Sequence, residues 1–232
     1  MVTRTYTAEA RAAGILYIIA TGAIIASAPF VGSTDSVEFL SNSAAEENQV
    51  MLGTLLQLAW VLSVMFIPVV LFRVLKLCSG IGALGFFSLR FTEALLSLIY
   101  VVLQLTMLRL SKHYVNGVDD ASAYEASAVL LLEARDWAFA MGAGFAFNLS
   151  ALLLNYLLYR SSIVPRWLSI WGLVGAVLWM VMWFPQIFDA DLGVLEAAFV
   201  PIAVQEMVFA VYLIVKGFDP AAIETLAAAT DH

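Results

Sequence analysis

Three full charges stand inside stretches that are otherwise apolar: Arg90 and Glu93 within 81–108, and Glu206 within 195–215. A charged residue at the centre of a membrane-spanning helix costs roughly 2.5–3.5 kcal/mol on insertion scales, so such residues are retained for a reason. Arg90 lies nine residues after Ile81 and Glu206 nine residues before Val215, the two span ends that face the same side. At about 1.5 Å per helical residue, both sit about 13 Å into the membrane, level with each other. Glu93 follows Arg90 by three positions on the same helical face. One arginine thus faces two carboxylates, and with both ionised the centre holds a net charge of −1. A coupled pair of this kind can relieve that charge by taking up a proton. Such chemistry suits a proton-coupled transporter, a quinone or lipid-headgroup site, or a gate. The competing expectation is a structural clasp, in which Arg90 is neutralised by Glu93 or Glu206 and the neighbouring amides fix the register of the helices.

The polar surface continues along the same face. Glu93, Ser97, Tyr100 and Gln104 step by four, three and four residues, drawing one stripe along a helix. Asn148 and Asn155 share a face of a later segment, Gln205 neighbours Glu206 with Tyr212 beyond it, and Gln57 comes from the second segment. The candidates for a ligand or proton site are Arg90, Glu93, Glu206, Asn148, Ser97, Tyr100, Gln104 and Gln205. No catalytic residue and no metal ligand is expected. The apolar segments contain no Asp or His, so the aspartate pairs, Ser–His dyads and His-rich metal sites of intramembrane hydrolases lack their parts. The two histidines are read as His113 in a loop and His232 at the C-terminus, and a bis-histidine haem has no ligands in the bundle. Cys78, the one cysteine, is placed in a short basic loop. No cofactor is expected.

These residues need helices to position them, and the composition supplies the frame. The 232-residue chain is 62% apolar and only 12% charged, about half the charge fraction of a soluble domain. Six long apolar stretches take up more than half of it, each about long enough to cross a hydrocarbon core. The expected fold is an all-α polytopic membrane protein, one transmembrane domain over 1–232. Its helices fall at about 12–31, 50–73, 81–108, 135–160, 165–188 and 195–216. Residues 121–134 either lie along the interface as an amphipathic helix or extend the fourth helix outward. Arg4, Arg11 and the run ending Ala26-Ser27-Ala28 imitate a secretory signal, but Pro29 directly after the cut argues for a retained first helix. Pro68 and Pro201 lie inside helices and Pro165 opens one, while Gly142, Gly144, Gly172 and Gly175 read as close-packing sites. Trp167 and Trp183 lie near the two ends of the fifth helix, as in an interfacial belt.

Alternating helices sort the linkers into two sets. The N-terminus, the 73–80 and 160–166 loops and the C-terminal tail carry seven Lys/Arg against four acids. The 32–50, 109–136 and 189–194 linkers with Glu196 carry three Lys/Arg against twelve acids, among them the pairs Glu46-Glu47 and Asp119-Asp120. Lys and Arg set orientation, so both termini are expected in the cytoplasm; the location expected is the plasma (inner) membrane of a prokaryote. The basic residues are short loop anchors, which leaves nucleic-acid binding without support. The partners expected are membrane lipids and, for the bundle, a second copy or a larger membrane complex.

The order of short motifs carries a resemblance. Arg11-Ala-Ala-Gly-Ile-Leu-Tyr17, Arg90-Phe-Thr-Glu93, Tyr159-Arg-Ser-Ser-Ile-Val-Pro-Arg166, and Gln205-Glu206 followed by Leu213-Ile-Val-Lys-Gly217 occur in sequence. Over nearly the whole chain this resembles the bacterial membrane-protein family known as domain of unknown function 4386. The resemblance implies a six-helix integral membrane protein without an established activity, in which Arg90, Glu93 and Glu206 match recurrent charged sites. The chain departs from that pattern before its fourth helix. Arg135-Asp136-Trp137 stands there, where family members often have a His-containing stretch.

The functional expectation is an integral membrane protein that is not an enzyme and binds a ligand, a lipid or a partner subunit around a buried Arg/Glu centre. The alternative is a small proton-coupled transporter or channel, with an intramembrane enzyme third.

Overall fold

The computed structural model describes residues 6–117, 121–188 and 195–230. Among them there is no strand, and the elements are nine α-helices with short tighter or wider turns between them. In order these are α1 (Thr7–Val31), α2 (Phe39–Asn42), α3 (Glu47–Cys78), α4 (Gly80–Val115), α5 (Ala121–Phe139), α6 (Phe147–Ser161), α7 (Arg166–Trp183), α8 (Leu195–Val215) and α9 (Pro220–Thr230). A π-helical stretch, Ala140–Ala146, joins α5 to α6, so residues 121–161 form one 41-residue span. Six helices are long and apolar enough to cross a membrane. Helices are the expected solution, because hydrocarbon offers no partner for a backbone N–H or C=O that the segment leaves unpaired. This is an all-α polytopic membrane protein.

Several boundaries differ from the sequence reading, each for a local reason. The basic loop expected at 73–80 shrinks to Ser79 alone: α3 runs on to Cys78, and the Ser79 hydroxyl accepts the Gly82 N–H at 3.0 Å to cap the start of α4. Cys78 is therefore the last residue of a helix and not a loop residue. His113 is also helical, in the last turn of α4, because nothing interrupts that helix until Gly117, whose φ of +93° suits glycine. Residues 121–134 are the first turns of α5 and continue the fourth span. The fifth helix ends at Trp183 rather than 188, since Pro185 cannot donate to the carbonyl four residues back, and 184–188 tighten into a 3₁₀ turn. The tail forms α9, with Pro220 in its first turn and the Asp219 carboxylate accepting the N–H groups of Ala221 and Ala222. Arg4, Asp119, Asp120, Asp231, His232 and the 189–194 linker lie outside the described residues, as does the side chain of Glu196.

The chain forms two compact units. The first contains the described part of 1–18, Val64–Glu93, and the described part of 144–232. Its core joins Ala10, Ala13 and Tyr17 of α1 to Ile67 and Leu71 of α3, Phe86 of α4, Leu154 and Leu158 of α6, and Phe209 and Leu213 of α8. Ile223 of α9 is buried in the same cluster. Two expected glycine contacts are close approaches here. A Cβ on Gly172 would collide with the Asn155 amide, and one on Gly144 with the Trp183 indole nitrogen. The second unit contains Ile19–Ser63 and the described part of Ala94–Ala143. In it Phe39 and Leu40 of the short α2 pack with Met107 and Ala128. Ser111 anchors this turn by donating to the Leu40 carbonyl (2.9 Å) and accepting the Ala44 N–H (3.0 Å).

Candidate functional site

Arg90 is buried among side chains of α1, α4, α6 and α8, all within the first unit. Its Nη1 donates to both oxygens of Glu93, at 3.2 and 3.0 Å. Nη2 donates to Glu206 Oε1 at 2.9 Å and to the Tyr17 hydroxyl at 3.3 Å. The guanidinium carbon also lies 5.2 Å from the ring centre of Phe147, 5.4 Å from that of Tyr17 and 5.8 Å from that of Phe86. A cation shielded from water between aromatic faces gains on the order of 2 kcal/mol from them, which offsets part of the cost of burying it. The i,i+3 spacing on α4 supplies Glu93; the level position of Glu206 on α8 supplies the second acid.

The two carboxylates are not equivalent. Glu93 spends both oxygens on Arg90, and its side chain is 3% exposed. Glu206 uses one oxygen, and its side chain is 14% exposed. Arg90 Nε, by contrast, is buried without a partner among the described residues. The centre therefore has one cation, two acids, one unfilled donor and one acid that can be approached.

The remaining candidates divide among other tasks. Asn148 is fully buried and clasps α7, its Nδ2 donating to the Ala176 carbonyl (2.8 Å) and its Oδ1 accepting the Met180 N–H (2.9 Å). Gln205 donates to Asn155 Oδ1 (3.3 Å) and to the Leu168 carbonyl (3.1 Å), tying α8 to α6 and α7. Neither residue bonds to the Arg90 cluster. Ser97 is buried with no partner for its hydroxyl among the described residues. Tyr100 and Gln104 belong to the second unit, where Gln104 and Gln57 exchange amide hydrogen bonds at 2.9 and 3.3 Å. Gln104 also donates to the Thr54 hydroxyl (3.1 Å), and Gln57 donates to the Tyr100 hydroxyl (3.3 Å). The single stripe read along α4 thus serves a charged cluster at one end and a neutral, mutually satisfied amide cluster at the other.

Two residues that matter were not among the site candidates read from the sequence. Tyr17 stands in an unbroken apolar run, and nothing local marks its hydroxyl as facing Arg90. Arg135 was counted as a linker charge, yet its side chain is only 4% exposed. Its Nη1 donates to the Thr34 carbonyl (2.8 Å) and hydroxyl (3.0 Å) and lies 3.2 Å from Asp35, while Nε and Nη2 donate to Asp136 at 2.9 and 2.7 Å. The Tyr100 ring centre is 5.7 Å from its guanidinium carbon. The signal available was adjacency: an Arg-Asp pair at the mouth of an apolar run.

Among the described residues no group of His, Cys, Asp and Glu is placed to hold a metal ion. Around Arg90 the described side chains offer charge pairing and hydrogen bonding. No curated protein and no solved structure matches the chain. A family model does match, over residues 12–217, and its span includes Tyr17, Arg90, Glu93, Arg135 and Glu206; the chain belongs to the family described as Domain of unknown function (DUF4386).

Proposed function

We propose that this integral membrane protein is a binding protein rather than an enzyme, and that its ligand seat is the Arg90–Glu93–Glu206 centre. One observation carries the reading: a single guanidinium faces two carboxylates, and the second of them, Glu206, bonds through one oxygen alone among the described residues, its side chain 14% exposed. A purely structural clasp is better served by one acid, since a second ionised acid beside one guanidinium leaves an uncompensated buried charge that costs several kcal/mol. The ligand that fits brings a positive charge or N–H and O–H donors to Glu206.

The alternative is proton-coupled transport, in which the missing positive charge is a proton. The observation that favours it is the unpartnered Ser97 hydroxyl, one helical turn beyond Glu93 on α4. The Lys/Arg asymmetry of the linkers supports both termini in the cytoplasm, and a prokaryotic plasma membrane is the location that goes with this reading. Lipids, a second copy or a larger membrane complex are the partners this reading allows.

The test is native mass spectrometry of the protein released from its own membranes, comparing wild type with Glu206→Gln. A small molecule retained by the wild type and lost from a folded E206Q supports binding. If no mass is retained while proteoliposomes take up protons in a Glu206-dependent way, transport replaces it. Identical behaviour of the two proteins in both assays removes Glu206 from any functional role.

A further inference from the structure

The linkers on the side where α1 ends are acidic, with three Lys/Arg against twelve acids. One of those cations, Arg135, is buried on Asp35 and Asp136. The other two, Arg109 and Lys112, are not scattered over the acidic surface. Both line one groove of about 500 Å³ in the second unit, together with His113.

The groove is built by a single helical face of α4 set against the start of α3. Leu105, Leu108, Arg109, Lys112 and His113 step by three, one, three and one, which keeps them on one side of the helix. Leu105 and Leu108, with Met51 of α3, make an apolar floor, and the three basic residues make the rim. Leu105 and Leu108 belong to the apolar run of α4 and the basic residues to its last two turns, so in a bilayer the groove would lie where hydrocarbon gives way to headgroups. Lys112 reaches Glu47 at 2.7 Å, but that pair is open to solvent on both sides and worth little. Among the described residues Arg109 has no carboxylate within ion-pair distance.

We infer that this groove binds an anionic glycerophospholipid, its phosphate on Arg109, Lys112 and His113 and the upper part of an acyl chain on Met51, Leu105 and Leu108. Charge complementarity selects the headgroup: Arg109 has no carboxylate partner among the described residues, Lys112 has only the solvent-open Glu47 that also lines the groove, and a phosphate is the anion present at this depth. The apolar floor selects a lipid over a free anion, because a soluble phosphate leaves Leu105 and Met51 uncovered. The assignment is independent of the reading given to Arg90.

The experiment uses the full chain in nanodiscs of phosphatidylcholine with phosphatidylglycerol as the probe lipid, followed by native mass spectrometry of the released protein. Arg109→Gln with Lys112→Gln removes the rim charge, and Arg73→Gln with Lys76→Gln on α3 removes the same charge at the other end of a span. Both pairs are surface changes, and size-exclusion elution with helical circular dichroism verifies the fold of each variant. The wild type retains phosphatidylglycerol, the rim variant retains it about thirtyfold more weakly, the equivalent of two interfacial cations, and the α3 variant retains it like wild type. Equal loss in both variants would mean unspecific attraction to a charged bilayer and would overturn the site. Displacement of the lipid by inorganic phosphate would make the groove a free-anion site and overturn it too, as would unchanged retention in the rim variant.

Discussion

Arg90 and Arg135 are both buried arginines stacked on a tyrosine ring, one in each unit, yet they are neutralised in different ways. Arg90 lies well inside a span, and every partner it has is a side chain: two glutamates and a tyrosine hydroxyl. Arg135 sits where an apolar run begins. It leans on a backbone carbonyl and on two aspartates whose side chains are 60% and 56% exposed. Depth explains the contrast. Near water a buried cation can borrow counterions that remain solvated, so neither acid pays a full desolvation cost. At mid-span the counterions must be buried as well, and a surplus among them is what the proposed ligand would neutralise.

The widest consequence is for removal of each cation. Arg90→Met leaves the enclosed Glu93 carboxylate and that of Glu206 without their cation and is expected to cost about 3–5 kcal/mol, read by reversible unfolding in mixed micelles. Arg135→Met leaves Asp35 and Asp136 to water and breaks the bonds to Thr34, for about 1–3 kcal/mol. If Arg135→Met proves the more damaging, the contrast by depth fails. The acids sharpen the same point at smaller scale. Glu93→Gln, which takes a charge from Arg90's fully enclosed partner, is expected to cost about 2 kcal/mol, and Glu206→Gln about half of that, because its side chain already meets the surroundings. Equal costs would make the two carboxylates equivalent and take away the reason for a ligand seat at Glu206. The smallest effect belongs to the neutral cluster: Gln104→Leu is expected to cost about 0.6 kcal/mol and at most about 1.7, the range of interhelical hydrogen bonds in membranes. A larger loss would show that the amide cluster and not the ion cluster holds α4 in place.

Much of the fold was legible because the membrane imposes it. Apolar runs of the right length became spans, and the charges inside them stood out against that background. Arg90, Glu93 and Glu206 meet because an i,i+3 spacing and a shared depth are properties a sequence states directly. What a sequence does not state is rotation about each helix axis. Tyr17 and Phe147 looked like ordinary apolar-run residues, and only the packing of α1 and α6 turns them to Arg90. The same ambiguity hid Arg135, whose position at a span boundary fits both an exposed linker charge and a buried anchor. Helix ends were misjudged where polar residues continue a helix, as in Arg109–Val115, since polarity ends a membrane span without ending a helix.

The central claim is that the open carboxylate of Glu206 faces a ligand. A structure determined in native lipid, examined at the level of Arg90, tests it most directly. The prediction is non-protein density within hydrogen-bonding distance of the Glu206 oxygen that Arg90 does not use. A dry centre in which both Glu206 oxygens are satisfied by protein alone would contradict it and reduce the three charges to a clasp.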